Sequence, residues 1–90
     1  VLVVNYPSNP TGATADVAEL ARCVAFARAH GLLLLSDLAY AELTYDGYRA
    51  PSVFEVPDAR DVAVELYSCS KSFNMAGLRI GFAAGSTEAL

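Results

Sequence analysis

The sequence contains no tryptophan, one methionine, one histidine and only two cysteines. Cys23 and Cys69 show neither a C-x-x-C nor a Cys/His spacing, so neither a disulfide framework nor a metal site is indicated. Both read as reduced packing thiols, which points to a cytoplasmic protein. The lone His30 falls at the end of a helical stretch, where a cation suits the C-terminal dipole, and is read as a helix-end residue rather than a ligand. Basic residues are scarce. Six Lys and Arg stand against ten Asp and Glu, the net charge is −4, and no two basic residues are adjacent. That balance excludes general nucleic-acid binding, which needs clustered Lys and Arg. Apolar runs such as GLLLL stop far short of the roughly 20 residues of a membrane-spanning helix, so no membrane partner is expected. Repeats, linkers and low-complexity segments are absent.

What is present is apolar surface. Hydrophobic residues make up 54% of the 90-residue chain and charged residues 18%, above and below the usual shares of roughly 45–50% and 25%. A chain this short has proportionally more surface to cover with polar groups, so the excess argues for a piece of a larger core. The chain opens directly on VLVV and closes on STEAL. We expect residues 1–90 to be one partial domain, an internal fragment of a longer protein.

The pattern along the chain is strand, loop, helix, strand. VLVVNY (1–6) is a β-branched and apolar run suited to a parallel strand covered on both faces, and PSNPTGA breaks it with two prolines and a glycine. From about Thr14 to His30, Val17, Leu20, Val24 and Ala27 recur at helical spacing. Asp16 and Glu19 favour the first turn, and Gly31 closes the helix. LLLLSDLAY begins a second strand, YDGYRAPS turns away from it, DVAVELYSCS gives a third and LRIGFAAG a short fourth. This alternation predicts an α/β domain with a mostly parallel sheet and crossover helices. Glu65, inside the third strand, has no evident role beyond a hydrogen-bonded position near the sheet margin.

Ligands of open α/β sheets bind beyond the carboxyl ends of the strands. There the sequence places Asn9 after the first strand, Asp37 and Tyr40 at the end of the second, and Ser68, Ser70 and Lys71 at the end of the third. Each has an ordinary explanation alone. Asn9 can shape a turn before Pro10, Asp37 can cap a short helix starting at Leu38, and Tyr40 can be a half-buried core aromatic. Lys71 and Arg79 can be solvated charges. Lys71 is nevertheless odd, because it follows an apolar run among three serines, where partial burial of an ammonium is costly.

The joint pattern changes the reading. NPTG after one strand, D-x-x-Y at the next, and S-x-S-K followed by G-x-R after the third occur here in one order. With DLAYAELTYDGYRAPS and SKSFNMAGLRIGF, the chain resembles the large domain of the class I/II, fold-type-I aminotransferases that depend on pyridoxal 5′-phosphate. It looks most like the LL-diaminopimelate and alanine aminotransferase group. The resemblance covers nearly the whole chain and rests on three separated motifs.

It implies a role for each matching position. Lys71 takes the place of the lysine that forms a Schiff base with the pyridoxal aldehyde, and desolvation would then favour the reactive neutral amine. Asp37 matches the carboxylate paired with the pyridine nitrogen, and Asn9 and Tyr40 match the groups that bind the ring oxygen. Arg79 and Ser68 match phosphate ligands, with Ser70 beside them. The implied activity is amino transfer between an amino acid and a 2-oxo acid by a homodimer. The same cradle also serves C–S lyases and aminocyclopropane-carboxylate synthases, and a transaminase-like domain occurs in some transcription regulators. Those alternatives remain open at this level.

Overall fold

Asp16 decides where the first helix starts. In the computed structural model, which describes residues 1–90, helix α1 spans Val17–Ala29. Asp16 Oδ1 accepts the Glu19 amide at 2.8 Å, and Glu19 Oε2 accepts the Asp16 amide at 2.9 Å. This reciprocal box satisfies two N–H groups that a helix start would otherwise leave orphaned. It also leaves Thr14 and Ala15 outside the helix, a later start than the apolar periodicity suggests. At the other end His30 is the C-cap, with its ring stacked on Phe26 at 4.2 Å, and Gly31 takes a positive φ of 60°. A residue with a Cβ would be strained there.

Four strands form one sheet in the order β1, β2, β3, β4: Leu2–Asn5, Leu34–Asp37, Ala63–Ser68 and Gly81–Gly85. The first three run parallel and in register, with Leu2 beside Leu34 beside Ala63, and Asn5 beside Asp37 beside Leu66. β4 is antiparallel to β3. The expected fourth strand is thus present but reversed: residues 69–80 hold only a four-residue helix and a 3₁₀ turn rather than a crossover helix, and the chain returns alongside β3. All four strands are shorter than their apolar runs suggest.

Only the β1–β2 crossover is an α-helix. The path from β2 to β3 uses 3₁₀ turns at Val53–Glu55 and Ala59–Asp61. Pro51 and Pro57 each remove a backbone donor, and Asp46 and Asp58 take positive φ, so a continuous helix is excluded. These turns lie on the same side of the sheet as α1. Leu20, Val24 and Ala27 from the helix, Leu34 and Ala63 from the sheet, and Val53, Val56 and Ala59 from the turns make one buried cluster. Fully burying Leu34 alone contributes roughly 1.5–3 kcal/mol.

Glu65 holds the second crossover down. Its carboxylate accepts hydrogen bonds from Ser52 Oγ at 2.9 and 3.1 Å and from the Val53 amide at 2.7 Å. Ser52 in turn receives the Phe54 amide on Oγ and donates its own N–H to Glu55. Arg49 completes the chain through a 2.8 Å bond to Glu55. That bond, aided by the Ser52 amide, holds the Glu55 carboxyl below its usual range. A charge that looked misplaced in a strand therefore caps a turn on the neighbouring layer. Glu65→Ala in the full-length protein strands the Val53 amide and the Ser52 hydroxyl and is expected to cost roughly 1–3 kcal/mol by denaturant titration. Glu65→Gln, which keeps an acceptor, should cost less, and equal losses would contradict the capping role.

The opposite face of the sheet is open. On that face Val3 is 63% exposed and Leu66 39%. The strands thus read as doubly covered in sequence, yet within these residues only one face carries a layer. Both edge strands also leave a row of backbone groups unpaired. The 90-residue chain alone is expected to aggregate and to melt without a sharp transition. A monomer with a cooperative two-state melt would overturn that expectation.

Candidate functional site

Because β1, β2 and β3 are parallel and end together, the segments that follow them emerge along one edge of the sheet. Asn5, the last residue of β1, ties two of these segments. Its Nδ2 donates to the Asp37 carbonyl at 3.1 Å, and its Oδ1 accepts the Asn9 amide at 3.3 Å. Sequence reasoning misses Asn5. The available signal is a polar amide closing an otherwise apolar run just before NPTG.

Asn9 and Tyr40 are brought together directly, with Asn9 Nδ2 donating to the Tyr40 hydroxyl at 2.8 Å. The Tyr40 O–H proton is then free to point at a third group. Tyr48 fixes the same two segments from the other side, its hydroxyl donating to the Ala15 carbonyl at 2.8 Å. Between them lies a cavity of about 570 Å³ whose walls include Asn9, Thr14, Tyr40, Tyr45 and Tyr48. Asp37 is half-buried at the end of β2 and accepts the Ala39 amide on Oδ1 at 2.9 Å. No helix begins at Leu38, so the ordinary explanation for Asp37 reduces to a local turn bond.

Ser68 ends β3 and caps the four-residue helix α2, Cys69–Ser72, by accepting the Ser70 amide at 3.2 Å. Lys71 therefore sits on a helical turn rather than at a strand end. It is exposed and makes no hydrogen bond or ion pair with the protein, so within these residues it bears no burial cost. It is also the single lysine of the chain. Beside it the Ser72 hydroxyl is buried without a partner. Arg79 takes the left-handed conformation, φ 54° and ψ 46°, and donates to the Ala76 carbonyl at 3.0 Å. Its strand then returns to pair Gly81 with Ser68, and the Cys69 amide donates to the Ile80 carbonyl at 3.1 Å.

The structure thus joins Asn9 to Tyr40, and Ser68 to Ser70 with Lys71 next in line. It shows no direct contact of Arg79 with the serines or of Lys71 with Asp37. The available groups are a half-buried carboxylate, an amide–phenol donor pair, two hydroxyls, a guanidinium and an unpartnered amine. This donor set fits pyridoxal phosphate: the carboxylate suits a protonated ring nitrogen, the donor pair an anionic ring oxygen, the hydroxyls and guanidinium a phosphate, and the amine an aldehyde.

Comparison with known proteins agrees. The family described as aminotransferase class I and II matches residues 1–90. LL-diaminopimelate aminotransferase 2 of Trichormus variabilis is 52% identical over 90 residues, which is all of this chain and 23% of that protein. The glutamate–pyruvate aminotransferase AlaC of Escherichia coli is 48% identical over 86 residues, 96% of this chain and 21% of that protein. Among solved structures, a probable N-succinyldiaminopimelate aminotransferase from Thermus thermophilus superposes with a TM-score of 0.93 at 50% identity, covering 98% of this chain and 24% of that one. The chain spans less than a quarter of the length of these relatives. A match over the whole chain, with the three motifs along one sheet edge, establishes that the chain belongs to the class I and II aminotransferase family.

Proposed function

We propose that residues 1–90 form the cofactor-holding part of the large domain of a longer, pyridoxal-phosphate-dependent aminotransferase. The enzyme moves an amino group between an amino acid and a 2-oxo acid. The observation that carries this reading is the unpartnered Lys71 amine next to the Ser68–Ser70 turn, on the sheet edge that also bears Asp37 and the Asn9–Tyr40 pair. When bound, pyridoxal phosphate supplies an electrophilic carbonyl carbon and an electron sink conjugated to it.

The chain's own residues do the rest. Lys71 Nζ would be the amine that holds the cofactor's aldehyde, and, when free, the base that takes a proton from the substrate Cα and the acid that gives it back. Asp37 keeps a proton on the ring nitrogen by pairing a negative charge with it. Asn9 Nδ2 and the Tyr40 hydroxyl donate to the ring oxygen. Ser68, Ser70 and Arg79 hold the phosphate, the guanidinium offering a planar fork of donors. The net reaction would convert one amino acid to its 2-oxo acid, with water supplying the oxo oxygen and the bound cofactor carrying the amino group until a second 2-oxo acid takes it and releases the water. The free, partly buried thiols of Cys23 and Cys69 support a reducing, cytoplasmic location. No helix is long and apolar enough to cross a membrane.

Borohydride treatment of the purified full-length protein is expected to fix the cofactor on Lys71, as read by peptide mass spectrometry. Lys71→Ala should keep non-covalent pyridoxal phosphate but lose the label and nearly all turnover. Asp37→Ala should keep the label and lose at least about tenfold in rate, a floor set below the cost of breaking a fully buried charge pair because Asp37 is half-buried. Label on another lysine, or wild-type turnover in Lys71→Ala, would remove the assignment. We further propose a homodimer with the active site at the subunit boundary. Sedimentation that finds a fully active monomer would contradict it.

A further inference from the structure

We propose that Gly81 is a positioning residue for Arg79: the missing side chain at the start of β4 sets how closely Arg79 stands to the Ser68–Ser70 turn. The argument is steric. A Cβ built on Gly81 lies 2.6 Å from the Tyr67 carbonyl oxygen, well inside the contact distance that real Cβ atoms keep, and the obstructing atom is backbone, which cannot rotate away. Gly81 pairs with Ser68, and the residue before it receives the Cys69 amide at 3.1 Å. Any side chain at 81 therefore prises β4 from the end of β3 where the serine turn begins. Arg79 lies two residues upstream in a left-handed conformation, its guanidinium bonded back to Ala76 in the preceding turn, and it is coupled to the strand through its neighbour Ile80, whose carbonyl holds the Cys69 amide. Gly77 is different, since a Cβ there meets nothing within 4 Å.

The proposal rests on the reading that Arg79 serves the cofactor phosphate, and the test separates the two. The measured quantity is the ratio of pyridoxal phosphate affinity to pyridoxal affinity, titrated spectroscopically on the cofactor-free full-length protein. Pyridoxal has the ring and aldehyde but no phosphate, so the ratio isolates phosphate binding from general stability. Gly81→Ala is expected to lower the ratio at least about tenfold, as misplacement approaching an ångström does at a preorganised site, while pyridoxal affinity holds. Leu34→Ala, which destabilises the core away from the serine turn, should leave the ratio unchanged. In an Arg79→Ala background, adding Gly81→Ala should change it by less than about twofold, because the two act as a unit.

An unchanged ratio in Gly81→Ala, an equal fall in Leu34→Ala, or full additivity with Arg79→Ala overturns the positioning role. If Arg79→Ala itself leaves the ratio unchanged, the phosphate reading of Arg79 fails and the proposal with it. If Gly81→Ala does not fold, Phe82→Ala decides. That variant removes the ring stacked on Tyr67 at 5.0 Å and loosens the same strand pair without adding atoms. A ratio lowered at least about threefold supports the proposal and an unchanged one overturns it.

Discussion

The in-register parallel pairing of β1, β2 and β3 is the constraint on which the rest depends. Asn5, Asp37 and Leu66 lie side by side, so three segments far apart in sequence leave the sheet each within one strand spacing of the next. A slip of one residue would turn Leu34 and Ala63 away from α1 and carry Asp37 to the other face. Burial of the core row and placement of the Asp37 carboxylate are thus fixed by the same register. The Asn5 amide links them, since it bonds the Asp37 backbone and the Asn9 amide at once.

The core on one face exists because two different crossovers lie on it. α1 contributes a stripe at i, i+4 and i+7, which was readable from Leu20, Val24 and Ala27. The second crossover contributes Val53, Val56 and Ala59 from 3₁₀ turns, and no periodicity marks such turns. They are held by side-chain bonds, mainly from Glu65. A buried-side carboxylate in a strand is costly unless its oxygens are occupied, and here Ser52 and Val53 occupy them. That pairing links positions 12 and 13 residues apart, which is why Glu65 made no sense when read within its own strand.

Much of the candidate site's layout was legible because its signals are local. Strand, turn and cap residues stand together in NPTG, D-x-x-Y and S-x-S-K, and the structure puts these motifs on one edge as the strand order requires. What escaped the sequence was relational. The start of α1 depends on whether Asp16 caps or joins the helix, and the reciprocal bond with Glu19 decides that. The direction of β4 depends on how short the return from α2 is. Lys71 looked half-buried because it follows an apolar run, but that run ends at Ser68, and within these residues the turn of α2 leaves Lys71 uncovered. Asn5 looked like the last residue of a strand, and only its cross-strand partners show that it organises the edge.

β4 shows how sterics and intrinsic stability trade off at this edge. Glycine within a strand costs roughly 0.5–1 kcal/mol relative to alanine, because it surrenders more backbone freedom. Gly81 and Gly85 bear that cost at both ends of one short strand. At each, a Cβ would meet the backbone of β3, at 2.6 Å from the Tyr67 oxygen and at 2.2 Å from the Ala63 oxygen. The repulsion at such distances exceeds the entropic gain an alanine would bring, so close approach wins over propensity. Between the glycines, Phe82 stacks on Tyr67 and supplies the contact that two bare positions cannot. The strand is thereby clamped to β3 along its length, and the segment carrying Arg79 enters it two residues later, anchored where the Cys69 amide meets the Ile80 carbonyl.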